Sequence, residues 1–292
     1  MEILASPAPR ARPLESGARW QAIDAACCAA LKREADAWPK PGLVTPVDAG
    51  SHRDMNYLTF IDSIAALRGY FAEVAEAGAR GAAYSGLQAI ALAAESRMLA
   101  ATRGANTHRG AIFNLGLMAA AAGMRDAQPA MATWSCGRIV ADCWGPAILA
   151  GRSHAPASHG KAAWQRYRAG GARDEAAAGF PTVYRIGLPA LRRLLAKGAA
   201  EEEALIGTLM ALMAVLSDTN LLWRGGAAGL RDVQAAAAAF NRDGGVLRAG
   251  WRASLLELHR WMVGRNLSGG GSADLVAACW LAHLLEPMAG ET

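Results

Sequence analysis

The chain has 292 residues, 53% of them apolar and 19% charged, so it can bury a real core and has neither a disordered nor a coiled-coil composition. Its net charge is +5, but 26 of its 30 basic residues are arginines scattered along the chain, with no basic run to track a nucleic acid. Arginine binds phosphate in a bidentate way, so small anionic ligands are the better expectation. Alanine occurs 68 times, against 29 for Ile, Val and Thr together, a balance that favours helix over strand.

Residues 1–19 are rich in Pro, Arg and Ala, lack the apolar core of a signal peptide and read as a flexible tail, which points to a cytoplasmic protein. Trp20 to Trp38 follows as an amphipathic helix, closed by Pro39. The loop Lys40–Asp54 leads to a second helix, Asp54 to about Val74, with Asp54 as its N-cap. A third helix spans Leu87 to Thr102. After a short polar loop a fourth occupies Gly110 to Met124, apolar but too short to cross a bilayer. Pro129 to Ala150 is also read as helix. Residues 151–186 are the least regular, with a helical turn near Arg173–Ala178 and two histidines, His154 and His159, that carry no informative spacing. Helices at 189–197, 201–216, 227–240, 246–265 and 273–285 complete an all-α, single-domain bundle of about ten helices over residues 20–292. Five cysteines form no CxxC pair and read as small buried groups in a reducing compartment.

No P-loop, Rossmann fingerprint, HExxH or nucleophile elbow is present. What recurs is an apolar helix, a compact polar loop and another apolar helix. Four such loops occur: Gly50–Asn56; Asn106–Gly110; Ser217–Asn220, running on to Arg224-Gly225-Gly226; and Ser268–Asp274. Helix N-termini with glycines suit phosphate, which favours the second and fourth loops. Asp54, Asp218 and Asp274 are candidate ligands for a Mg²⁺-triphosphate, which takes only one or two protein carboxylates. Glu95 sits among Ala91, Leu92, Met98 and Leu99, so it is expected to face the core. Each feature has a structural alternative: Asp54 and Ser272 as N-caps, Glu95 paired with an arginine, His108 as a satisfied loop residue, and Arg224-Gly225-Gly226 as a helix end.

At these residues the sequence resembles the triphosphoribosyl-dephospho-CoA synthases, which serve the acyl-carrier subunits of citrate lyase and malonate decarboxylase. The resemblance rests on KPGLVTPVDAGSHRDMN (40–56), AESRMLAATRGANTHRGAIFNLG (94–116), FPTVYRIGLPAL (180–191), LMAVLSDTNLLWRGG (212–226) and LSGGGSADLVA (267–277). One departure is Gly269, where the family usually has proline.

The resemblance implies transfer of the triphosphoribosyl group of ATP to 3′-dephospho-CoA, with release of adenine. The product would then pass to a phosphoribosyl-dephospho-CoA transferase and the acyl carrier protein. On this basis Glu95 or Asp54 is the expected general base, and Asp218 and Asp274 hold Mg²⁺. Asn106, Thr107, His108, Arg109, Arg224 and the Gly270-Gly271-Ser272 backbone hold the triphosphate, with protonation of adenine as the other role for His108. Lys40 and His52 neutralise the dephospho-CoA pyrophosphate. SHRDMNYLTFIDS (51–63) favours the malonate decarboxylase branch over citrate lyase. No nucleic acid or membrane partner is expected, and a homo-oligomer is left open. Two other readings stand beside this one: a Mg²⁺-dependent nucleotide hydrolase or phosphotransferase, and a non-enzymatic CoA- or nucleotide-binding helical module.

Overall fold

The alanine-rich, β-branch-poor segments fold as their propensities suggest, and every regular element among the described residues is helical. The computed structural model describes residues 16–151, 165–167 and 169–286; the expected tail lies mostly outside them, as do His154 and His159. The helices are α1 (Ser16–Asp36), α2 (Tyr57–Ala66), α3 (Tyr70–Ala79), α4 (Tyr84–Ala101), α5 (Arg109–Ala127) and α6 (Cys136–Ala150). Then come α7 (Gly171–Ala177), α8 (Leu188–Ala196), α9 (Glu201–Met213), α10 (Thr219–Arg242), α11 (Trp251–Gly264) and α12 (Gly270–Leu285).

Helix α5 is the centre of the bundle. Ala111, Ile112 and the whole run from Asn114 to Met124 are buried, with α1, α3, α4, α6 and α12 packed around it. It approaches α3 so closely that a Cβ on Gly78 would lie 2.0 Å from the Ala120 carbonyl oxygen, and one on Gly123 would lie 1.9 Å from that of Ala75. Two glycines facing two alanines therefore set the depth of this crossing. No helix among the described residues is long and apolar enough to span a membrane.

Several boundaries differ from expectation. The expected helix from Asp54 to Val74 is two helices, because Gly69 takes φ 84°. The Asp24 carboxylate on α1 accepts from the Gly69 and Phe71 N–H groups at 3.0 and 3.1 Å, capping α3 from a distant segment. Asp54 is not the cap of α2. Asn56 is, accepting from the Thr59 N–H, while the Thr59 hydroxyl accepts from the Asn56 N–H in a capping box. The segment from Pro129 is a short 3₁₀ turn (Pro129–Met131), and α6 begins only after Ser135, whose hydroxyl oxygen accepts from the Arg138 N–H. Helix α9 stops at Met213, and the Asn241 side chain of α10 donates to the Met210 carbonyl. Helix α10 is kinked at Gly226, where the backbone is non-helical (φ 62°, ψ −167°), so a segment from Thr219 precedes the helix expected from residue 227. All five cysteines are free as expected, but Cys143 is exposed and Cys28 only half-buried.

Candidate active site

The N-termini of α5, α10 and α12 converge at one place, and two aspartates join them, Asp218 buried and Asp274 half-buried. Asp218 is the N-cap of α10: one carboxylate oxygen accepts from the Asn220 and Leu221 N–H groups at 2.9 and 3.4 Å. Its other oxygen accepts from the N–H and hydroxyl of Ser272, in the first turn of α12, at 2.7 and 2.9 Å. Asp274, one residue pair further along α12, accepts in turn from the Ala111 N–H at the start of α5. Each aspartate thus neutralises the positive end of a neighbouring helix. Asp274 approaches so closely that a Cβ on Gly110 would lie 1.9 Å from its Oδ2. Gly110→Ala is expected to force α5 and α12 apart and to lower stability by about 1–3 kcal/mol; a thermal melt coincident with wild type would show that the junction yields.

This junction forms the floor of a cavity of about 870 Å³, large enough for a nucleotide-sized ligand. All four polar loops reach it. Lys40, His52, Asp54, Glu95, Asn106, Thr107, His108, Arg109, Asp218, Arg224, Gly270, Gly271 and Asp274 all line it, whereas Ser272 is buried behind Asp218. Sequence reading missed Glu34, Ser63 and Asn114. Glu34 and Asn114 line the cavity and Ser63 backs its wall; a polar residue inside an apolar helical run was the available signal for Ser63 and Asn114.

The local bonding changes what several of these residues can do. Asp218 receives four donors, one for each lone-pair direction of its carboxylate, so as it stands it offers nothing to a metal. Burial still pushes its pKa up, against the lowering effect of those donors. Burial is also the main reason that the Asp274 pKa lies well above the usual carboxylate range, with Glu34 and Asp218 adding negative charge nearby. Asp274 keeps acceptor capacity free, and a cation there would relieve both effects. No group of three or more His, Cys, Asp or Glu among the described residues could hold a metal, so most of any cation's ligands would have to come from phosphate or water.

Lys40 is not free to neutralise a pyrophosphate, since its buried ammonium donates to the Glu34 carboxylate and carbonyl, both at 2.6 Å. His52 carries no charge at neutral pH: burial, with Arg224 beside it, pushes its pKa down to about 4. Its Nε2 lies 3.0 Å from Ser268 Oγ and its Nδ1 3.3 Å from Arg224. Arg224 also donates to the Ser51 carbonyl at 2.8 Å and to Asn266 Oδ1 at 2.7 Å, which ties α10 to two loops.

Glu95 does not face an apolar core. It meets Arg109, whose Nη2 and Nε lie 2.5 and 2.6 Å from Oε1, and its side chain is 21% exposed. Asn106 supports the same loop by accepting from the Arg109 N–H. His108 is buried under Phe60, and burial, with Lys40 nearby, pushes its pKa down to about 3. A cationic His108 that protonates adenine does not fit this setting.

Residues 20–292 match the family model described as ATP:dephospho-CoA triphosphoribosyl transferase. The chain belongs to that family. It is 38% identical over 255 residues to a probable 2-(5″-triphosphoribosyl)-3′-dephosphocoenzyme-A synthase of Acinetobacter calcoaceticus, covering 87% of each chain. It is 41% identical to a protein of the same description from Pseudomonas putida, covering 86% of this chain and 89% of the relative. The 2-(5″-triphosphoribosyl)-3′-dephosphocoenzyme-A synthase of Pectobacterium atrosepticum is 40% identical, with 89% of this chain and 88% of the relative covered. No solved structure gives a significant match. Transferases of this family act on ATP and dephospho-CoA, and the junction of three helix ends is where this member concentrates its polar groups.

Proposed function

We propose that the cavity moves the 5-triphosphoribosyl group of ATP to the 2′-hydroxyl of 3′-dephospho-CoA and releases adenine. The observation that carries this reading is the gathering of all four polar loops, with Arg109 and Arg224, at three helix N-termini in a chain of this family. The bond from the ribose anomeric carbon to adenine N9 breaks, and its electron pair leaves with adenine, which takes up a proton from water. The 2′-oxygen of dephospho-CoA attacks the opposite face, forming the new C–O bond with inversion, as in inverting glycosidases.

Glu95, held by Arg109, takes the proton from the attacking hydroxyl, and Asp54 at the cavity edge is the second choice. Mg²⁺ would be held by the triphosphate with Asp274 as its protein carboxylate, where it supplies charge neutralisation. Asp218 serves instead to hold α10 and α12 together. The triphosphate lies against Arg109, Arg224, Asn106 and the Gly270-Gly271 backbone. The product is destined for the acyl-carrier subunit of malonate decarboxylase rather than citrate lyase.

Incubation with ATP, Mg²⁺ and dephospho-CoA, followed by mass analysis, tests this. Free adenine and a triphosphoribosyl adduct are expected in equal amounts. Release of ADP or phosphate without adenine would make the protein a hydrolase or phosphotransferase. Binding without any product would make it a ligand-binding module. CoA should be a poor acceptor, because its 3′-phosphate adds charge and bulk beside the attacking hydroxyl; equal turnover of CoA and dephospho-CoA would count against the assignment.

A further inference from the structure

His108 sits at the wall of the cavity with a relative exposure of 2%. Its Nδ1 lies 2.6 Å from Ser63 Oγ on α2, a residue with no exposed surface. Its Nε2 is closed off from solvent and has no hydrogen-bond partner among the described residues. An unpartnered buried ring nitrogen is costly. The ring borders the cavity while Nε2 itself is covered, so a substrate atom can partner it only when the wall shifts on binding.

The surrounding bonds decide which nitrogen carries the proton. Thr107 Oγ1 donates to Ser63 Oγ at 2.7 Å. With that lone pair used, the single proton of Ser63 has His108 Nδ1 as its acceptor. An accepting Nδ1 places the ring proton on Nε2. The opposite direction would have Nδ1 donate to Ser63 and Ser63 to Thr107, leaving the Thr107 proton to Met98 Sδ at 3.4 Å, and a thioether is a weak acceptor. The edge-to-face contact with Phe60, centroids 4.9 Å apart and planes at 73°, fixes the plane of the imidazole. Buried beside Lys40, the ring does not gain a second proton at neutral pH.

We infer that Thr107 and Ser63 form a relay that holds His108 as a neutral imidazole with its proton on Nε2, kept for a substrate atom that reaches it when the cavity wall shifts on binding. Ser63 is then a positioning residue. Thr107 moves from phosphate contact to support, and His108 gives a hydrogen bond without giving up a proton. The identity of the substrate rests on the proposed function, but the tautomer does not.

The full-length protein labelled with ¹⁵N-histidine is the test, read by long-range proton–nitrogen correlation without substrate at neutral pH. The His108 signals are assigned by their loss in His108→Gln. The expected pattern is a protonated Nε2 and a bare, accepting Nδ1. A protonated Nδ1, or an imidazolium, overturns the inference. Ser63→Ala should lose the single-tautomer pattern and slow turnover about tenfold to a hundredfold, mainly in kcat, and Ser63→Thr should restore both. An unchanged tautomer in Ser63→Ala refutes the relay even if activity falls. Should Ser63→Ala fail to fold, the wild-type spectrum alone decides. If the wild type shows the expected tautomer but releases no adenine, the proposed function fails and the relay stands.

Discussion

Asp218→Ala is expected to melt several degrees below the wild type. The change removes one carboxylate and strands four donors: the N–H groups of Asn220, Leu221 and Ser272 and the Ser272 hydroxyl. Asp218 has 1% relative exposure, so water cannot readily replace it. A buried donor left unpaired costs about 1–3 kcal/mol, and the joint loss should be roughly 3–5 kcal/mol. For a domain of this size that corresponds to a drop of roughly 5–8 °C in Tm. Ser272→Ala deletes only the hydroxyl bond and should cost about 1 kcal/mol. Far-UV circular dichroism melts of the two variants give the comparison. An Asp218→Ala protein that melts with the wild type would mean the carboxylate is not holding the helix ends, and would reopen a place for it beside a metal.

Glu95→Gln is expected to do the reverse, leaving the fold intact and stopping the chemistry. The Arg109 side chain is 40% exposed, so loss of the ion pair should cost well under about 1 kcal/mol after solvent screening. The amide oxygen of Gln can still accept from Arg109. If Glu95 takes the proton from the attacking hydroxyl, adenine release should slow by about two to four orders of magnitude while ATP binding persists. Melting curves, ATP titration and adenine chromatography separate these effects. A stable variant with near-normal turnover would transfer the role to Asp54, which stands 65% exposed at the cavity edge.

What the sequence made legible follows from local physics. Helix α5 was readable because a long apolar, alanine-rich run leaves few other choices, and the four loops stood out as polar islands between such runs. The break between α2 and α3 was hidden, because the cap that makes it comes from Asp24 on α1, outside any local window. Glu34 looked like an ordinary charge at a helix end and Lys40 like a pyrophosphate ligand; only the fold buries them against each other. Ser63 lies on the apolar stripe of α2 beside Ile64 and could have been marked as a polar residue on the wrong face. Asp218 and Asp274 stood out in their polar loops, but the donors facing Asp218 come from two different helices, and no spacing rule connects them.

The aspartate-linked junction also bears on the dynamics of the molecule. Its amides belong to segments far apart along the chain, around Ala111, Asn220 and Ser272, and each is held by a carboxylate from the same small cluster. None of them can open while its partners stay closed without exposing a buried charge. Their hydrogen exchange should therefore proceed together, at the rate set by global unfolding rather than by local fraying. A ligand seated on the junction would then slow exchange in α5, α10 and α12 alike, so that binding is felt as a tightening of the whole bundle.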